Sequence, residues 1–172
     1  GLVLIYTRAL RRGDFVVVNG VEGTVENLGL FNVTLRTPRE ELLTISNQVC
    51  GANLTNYSRP RPGQAVTFVA KVSIGYDAPW RTVHEQLLAA AADTPGIRTE
   101  PSPQVRQAAL DDFAVTYELH VALDQPAHRP KVFALLHAAI QDRLHGVGIQ
   151  IMSPHYIGDP AEPKIPAAAT RA

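Results

Sequence analysis

The stretch DFVVVNGVEGTVENLGLFNVTLRT, residues 14–37, decides the first part of the fold. It alternates β-branched runs with glycine. Its Asn19-Gly20 pair is a strong hairpin signal, because both central residues of a type I′ turn need positive φ. Working outward from this hairpin, we predict a small antiparallel barrel or strongly bent sheet of five strands, at 15–18, 24–28, 32–37, 42–46 and 53–57.

The proline- and glycine-containing stretch SRPRPG, 58–63, then predicts a short, stiff linker. Beyond it, every second residue from Val66 to Ile74 is apolar, as a strand with one buried face requires. Asp77 is predicted to cap a helix whose apolar stripe comprises Trp80, Val83, Leu87 and Ala91.

The rest of the second unit continues the alternation of strands and helices. A short extended piece at 104–110 precedes a strand with one apolar face, formed by Phe113, Val115, Tyr117, Leu119, Val121 and Leu123. A helix at 130–145, ended by Gly146, has an apolar face of Phe133, Leu136, Ile140 and Leu144, and 149–152 is the last strand. The order β-α-β-β-α-β predicts a ferredoxin-like unit with two helices on one face of a four-stranded antiparallel sheet.

Composition and motifs give no sign of catalysis. The chain of 172 residues holds 16 Lys plus Arg and 16 Asp plus Glu, so it lacks a large basic field. The single cysteine, Cys50, is predicted to be a small packing residue, and the histidines form no H-E-x-x-H motif. Asp111 and Asp112 are adjacent and would point to opposite faces of an extended chain. We therefore predict no enzyme activity, no cofactor and no metal.

The size of the first β unit favours assembly. A module of about 45 residues lies near the limit below which disulfides, metals or oligomerisation are usually needed. Support can come from the following α/β unit or from neighbouring copies that pair sheet edges, and we favour the second. The sequence thus predicts a closed homo-oligomer.

The N-terminal residues leave two interpretations open. Residues 1–6 are mainly apolar but far shorter than the about 20 residues that span a bilayer. Arg8, Arg11 and Arg12 follow at once, as basic residues do where a helix leaves the membrane on the cytoplasmic side. The segment is either an amphipathic surface helix or the end of a membrane span that begins upstream.

An RNA-binding ring is the main alternative. Four arginines surround the first unit, at Arg36, Arg39, Arg59 and Arg61. The aromatic platform that single-strand binders use is thin, since only Phe15, Phe31 and Tyr57 are aromatic between 13 and 63. We therefore expect no nucleic-acid partner.

Several spaced motifs between 13 and 59 occur together in the order typical of one family. They resemble the β domain of the small-conductance mechanosensitive channel (MscS-like) family, and the likeness continues more weakly to about 155. Ser46 departs from the pattern, because a proline usually precedes the asparagine at 47. The positions that the family pattern marks as structural are Gly13, Asp14, Gly20, Gly23, Val25, Gly29, Arg36, Thr37, Asn47, Asn56, Ser58 and Arg59.

The resemblance implies an α+β fold, with a small five-stranded antiparallel, Sm-like β domain at 13–58 and a ferredoxin-like βαββαβ domain at 64–153. Residues 1–12 would be the end of a pore helix or a membrane-exit segment, 59–63 a linker, and 154–172 an exposed or partly disordered tail.

It also implies a function. Heptameric rings of such subunits in the bacterial inner membrane form a collar and a cytoplasmic vestibule, through which ions and small osmolytes pass when bilayer tension opens the pore. Arg8, Arg11 and Arg12 would lie just inside the cytoplasmic face, and upstream helices would contact lipid.

Overall fold

The computed structural model describes residues 10–50, 53–60 and 65–152. The fold is α+β, as predicted. The described residues divide into two compact units. The first lies within Gly1–Val66 together with Leu123–Pro130, and the second lies within Thr67–Ala122 together with Lys131–Ala172.

The first unit is a five-stranded antiparallel sheet. Its strands are β1 (Phe15–Val18), β2 (Val21–Leu28), β3 (Asn32–Arg36), β4 (Leu42–Ser46) and β5 (Leu54–Asn56). They lie in the order β4-β3-β2-β1-β5, so β4 and β5 are the two edges. All five predicted strands are present, although β2 begins earlier than predicted and β5 is shorter.

The first hairpin forms where the sequence predicts it. Asn19 and Gly20 have φ of 49° and 80°, and Val18 pairs with Val21 across the turn. Positive φ at two successive residues is the requirement of a type I′ turn. β2 also contains a register shift between Val25 and Asn27 where it pairs with β3, and a bulge of this kind bends the sheet.

The core of the first unit is small. A four-residue helix, α1 (Asn47–Cys50), follows β4 and was not predicted. Cys50 is buried as expected, and the desolvation raises the pKa of its thiol. The buried cluster consists of Leu10, Val16, Val18, Val25, Val33, Leu35 and Cys50.

The second unit has two long helices. Its elements are β6 (Thr67–Ile74), α2 (Trp80–Asp93), β7 (Gln104–Leu110), β8 (Val115–Ala122) and most of α3 (Arg129–Gly146). The first two residues of α3 and the 3₁₀ turn at Pro126–His128 before it group with the first unit. The sheet order is β6-β8-β7, and every pair is antiparallel. In place of the predicted last strand at 149–152, a single bridge joins Ile151 to Ile74 beside β6. This places the end of the described chain at the fourth position of a ferredoxin-like sheet.

The core of the second unit follows the predicted alternation with local corrections. Val115, Tyr117, Leu119 and Val121 are buried along β8, but Phe113 is 73% exposed because it lies in the β7–β8 turn. Trp80 is 46% exposed because it is the first residue of α2, so the buried stripe of that helix begins at Val83. Phe133 is only half-buried, and Val132 takes its place in the stripe of α3.

The predicted helix ends also need correction. Asp77 does not cap α2, since the N-cap position is Pro79 and no side chain bonds there. Gly146 is the last residue of α3, and it is Gly148, with φ of 75°, that takes the left-handed conformation. The amides of Gly148 and Ile149 then donate to carbonyls in the last turn of the helix, as a C-terminal cap requires.

Candidate functional site: the motif residues and edges of the first unit

One polar cluster joins the start of the first sheet to its end. Oδ2 of Asp14 accepts hydrogen bonds from the Arg11 backbone amide at 2.9 Å and from Nδ2 of Asn56 at 2.8 Å. It also lies 2.9 Å from Nη2 of Arg59 in an ion pair. We call these four residues the Asp14 cluster. Asp14 is only 7% exposed, and burial of a carboxylate is costly unless it is paired and hydrogen-bonded.

Neighbouring bonds reinforce this junction. The amide of Phe15 donates to Oγ of Ser58 at 2.8 Å, and the amide of Ser58 donates to Oδ1 of Asn56 at 2.9 Å. The amide of Gly13 donates to the carbonyl of Val25 at 2.8 Å. The structure therefore brings together the motif residues at 13–14 and those at 56–59, which are far apart in the sequence.

A second group of motif residues holds the β2–β3 turn. Nδ2 of Asn47 donates to the carbonyls of Gly29 and Leu30 at 3.2 and 2.9 Å, and its backbone amide donates to the carbonyl of Phe31 at 2.9 Å. Asn47 is 4% exposed. Its buried side chain therefore holds the turn by donating to the carbonyls of Gly29 and Leu30, and these bonds form although serine precedes it.

The β3–β4 turn depends on Arg36 and Thr37. Arg36 forms ion pairs with Glu26 at 2.9 Å and Glu40 at 3.2 Å, and the hydrogen bond and charge of Glu26 are the main reasons that its pKa is raised. Oγ1 of Thr37 accepts a hydrogen bond from the Glu41 backbone amide at 3.3 Å, and the Thr37 backbone amide donates to the Glu41 carbonyl at 2.9 Å. These contacts fix the turn that leads into the edge strand β4.

Gly23 is required by close packing within the sheet. A Cβ placed at Gly23 would lie 2.9 Å from the carbonyl oxygen of Arg36, a distance that real side chains do not show. Close packing at Gly23 and positive φ at Gly20 are both conditions that favour glycine.

Apolar side chains are exposed at and beside the β4 edge. Leu42 in β4 is 59% exposed, and Leu30 and Phe31 in the adjacent β2–β3 turn are 53% and 78% exposed. Asn32 pairs with Ser46, so this turn lies at the end of β4. A rigid turn that presents two apolar side chains next to an open sheet edge is suited to contact another protein surface. Sequence patterns missed this surface, because exposure cannot be read from residue type.

The other candidates for chemistry belong to the second unit. In 10–50, 53–60 and 65–152, no three His, Cys, Asp or Glu side chains group closely enough to hold a metal ion. Asp111 closes the β7–β8 turn by accepting from Oγ1 of Thr116 at 2.6 Å. His120 lies 3.2 Å from a carboxylate oxygen of Glu118. These contacts stabilise a turn and a strand face.

The predicted membrane-proximal arginines are only partly described. Arg8 lies outside the described residues, whereas Arg11 and Arg12 are exposed. Within the described parts of the chain, every helix is too short or too polar to cross a bilayer.

Comparisons with known proteins agree with this architecture. Residues 1–59 match the family model "Mechanosensitive ion channel, beta-domain", and residues 68–151 match "Mechanosensitive ion channel MscS, C-terminal". The two matches cover most of the chain, which belongs to the mechanosensitive ion channel (MscS) family. The resemblance noted from the motifs is thereby confirmed.

Individual relatives come from bacteria. An uncharacterized MscS family protein of Haemophilus influenzae is 26% identical over 143 residues, which are 83% of this chain and 13% of that protein. The mechanosensitive channel MscK of Escherichia coli is 25% identical over 122 residues, 70% of this chain and 11% of that one. This chain therefore spans a small part of the length of these relatives.

Solved structures share the fold. The closed state of Helicobacter pylori MscS matches with a TM-score of 0.68 at 20% identity, over 94% of this chain and 63% of that one. MSL1 of Arabidopsis thaliana matches with a TM-score of 0.57 at 14% identity, over 88% of this chain and 56% of that one.

Proposed function

We propose that this chain is the cytoplasmic portion of a mechanosensitive channel subunit in a bacterial inner membrane, with no catalytic activity of its own. Heptameric rings of the subunit form a collar from the first unit and a vestibule from the second. Ions and small osmolytes pass through them when tension opens upstream membrane helices. The observation that carries the proposal is the open, apolar-flanked β4 edge of a small sheet.

Different edges at the two ends of the sheet favour a ring. Among the described residues, β4 forms one edge of the sheet and β5 forms the other. A contact between β4 of one copy and β5 of the next uses two different surfaces, and such a head-to-tail contact generates a ring when the rotation closes. Pairing with another copy is also one way in which proteins cover a sheet edge.

An RNA-binding ring is less well supported. Arg36 and Arg59 are engaged by carboxylates of the same unit, so their charges are already balanced. Phe15 is buried, Tyr57 packs beside it at a ring-centroid distance of 6.3 Å, and only Phe31 of the three predicted aromatics is highly exposed. A stacking platform for bases needs exposed rings.

The test is made on the full-length protein. Native mass measurement in detergent should give a heptamer, and membrane patches should show current that appears on stretching. Leu42→Asp adds a charge at the β4 edge and should abolish the ring, because that side chain is largely exposed in one chain but buried in the proposed contact. Val147→Asp is the matched control, since Val147 is 46% exposed in the second unit.

The outcomes separate the alternatives. A monomeric wild-type protein, or a ring that Leu42→Asp leaves intact, contradicts the proposed edge contact. RNA binding that weakens steeply with salt, without stretch-activated current, favours the alternative.

A further inference from the structure

The Asp14 cluster lies where the chain enters the first sheet and where it leaves. Arg11 and Asp14 precede β1, whereas Asn56 ends β5 and Arg59 begins the connection to the second unit. In the sequence, the first pair of residues is separated from the second pair by strands β1 to β4 and most of β5. In space a single carboxylate oxygen, Oδ2 of Asp14, contacts both.

The backbone connection at the same place is short. Strands β1 and β5 pair through only three residue positions, from Val16 with Asn56 to Val18 with Leu54. The amide of Tyr57 adds one bond to the Phe15 carbonyl at 2.9 Å. The side-chain cluster therefore supplies a substantial part of what holds β5 to the sheet, because hydrogen bonds to a charged group are stronger than neutral ones.

We propose that the Asp14 cluster is a mechanical joint between the entering and leaving segments of the first unit. Displacement of the chain upstream of Gly13 then reaches Arg59 directly, and from there the connection to the second unit, without passing along β2, β3 and β4. The force-bearing role rests on the proposed channel function. The joint itself does not, and the two are tested separately.

Hydrogen exchange on the full-length protein in lipid nanodiscs tests the joint. Asp14→Asn keeps the shape of the side chain but removes its charge, and Arg59→Gln removes the partner charge. Each should speed exchange in peptides covering 11–15 and 54–59 about tenfold, because Asp14→Asn weakens the hydrogen bonds that the carboxylate accepts and Arg59→Gln removes the ion pair. Exchange in β6 and β8 should not change.

Two further variants control this measurement. Arg143→Gln removes another arginine–aspartate ion pair, with Asp93 in the second unit, and should leave exchange at 11–15 and 54–59 as in the wild type. Arg59→Lys keeps the charge and should retain most of the protection. Unchanged exchange at 54–59 in both Asp14→Asn and Arg59→Gln overturns the proposed joint.

Tension thresholds in membrane patches test the force-bearing role. If the joint is broken, the upstream segment can move during opening without also displacing the second unit. Asp14→Asn and Arg59→Gln should therefore each lower the membrane tension at which the channel opens. The double variant should lower it no further than either single variant, since both break one joint. An unchanged or raised threshold, or additive effects, overturns the role.

Failure of the proposed function looks different. A wild-type protein without stretch-activated current overturns that function, and the force-bearing role with it. The exchange measurement still decides whether the joint exists, because it does not depend on channel activity.

Discussion

The two units of the chain bury apolar side chains in different ways. The second unit packs a sheet against the buried stripes of two long helices, with Val83 and Leu87 from α2 and Leu136 and Ile140 from α3. The first unit has five strands and, between residues 10 and 60 as described, a single helix of four residues. A cluster of seven buried side chains packs between these elements.

The difference shows what the motif residues of the first unit are for. Asp14, Asn47 and Arg36 each fix a turn or junction through polar contacts, where the second unit relies on apolar packing. Specific polar contacts define a geometry accurately, but each adds only modest net stability, because folding gives up hydrogen bonds with water to form them. We infer that the first unit is shaped by its own residues and stabilised by its neighbours, whereas the second is stable within one chain.

The largest expected effect comes from removing a core side chain in each unit. Leu119→Ala in β8 and Leu35→Ala in β3 each truncate a fully buried leucine and should cost about 2–5 kcal/mol. Hydrogen exchange of core amides, followed at two protein concentrations, measures the stability lost in each variant. The Leu119→Ala effect should be independent of concentration, whereas the Leu35→Ala effect should grow on dilution if the proposed assembly stabilises the first unit.

The same response to dilution in both variants would contradict the proposed difference between the two units. If dilution affects neither, the first unit is as self-sufficient as the second. If it affects both, the second unit also depends on its neighbours.

Loss of a buried polar contact should come next. Asn47→Ala leaves the carbonyls of Gly29 and Leu30 without their donor and should cost about 1–3 kcal/mol. The measurement is faster exchange in the β2–β3 turn at 29–32, with β6 unaffected. Asn32→Ala provides a comparison at the same turn, since Asn32 holds this turn through its backbone carbonyl. Equal effects of the two would show that the Asn47 amide does not hold the turn.

A backbone effect of about 1–2 kcal/mol is expected at the first turn. Gly20→Ala places a Cβ on a residue with φ of 80°, a region that costs L-residues this amount. Gly146→Ala is the matched control because Gly146 ends a helix with open space around it, where alanine is favoured over glycine. Thermal melting should fall for the first and be unchanged or rise for the second. A rise for both would mean that the turn does not constrain Gly20.

The smallest expected effect is a pH dependence in the second unit. The hydrogen bond and charge of Lys71, with a further contribution from His120, lower the pKa of Glu118. A lowered folded-state pKa means that the contribution is present above the ordinary carboxyl pKa and is lost as pH falls through the folded value. In the wild type, the free energy of unfolding should therefore fall with decreasing pH below about pH 4. Lys71→Gln should make this fall slightly less steep. An identical curve would show that the pair contributes nothing.

Much of the fold could be predicted because its signals are local. Strand alternation and the Asn19-Gly20 turn depend on neighbouring residues only, so the strands of both sheets were found close to their observed bounds. Helix α1 was missed because four residues carry no periodicity. The spacing of apolar residues places Phe113 and Trp80 in the core, but both are exposed in the structure. They lie at or just beyond the end of a strand or helix, where the apolar spacing continues although the side chain is no longer covered.

The candidate site was less accessible to prediction. The motif marked Asp14, Asn56 and Arg59 as structural positions, but nothing in local sequence says that one carboxylate oxygen contacts both ends of the sheet. Such a pairing depends on the whole path of the chain. The same holds for the exposed apolar pair Leu30 and Phe31.

Hydrogen exchange along the two edge strands of the assembled full-length protein tests the central claim most directly. If neighbours complete the sheet, the outward amides of β4 and β5 should be protected as well as those of the interior strand β2, and protection should disappear in Leu42→Asp. Edge amides that exchange freely in the intact assembly would contradict the account.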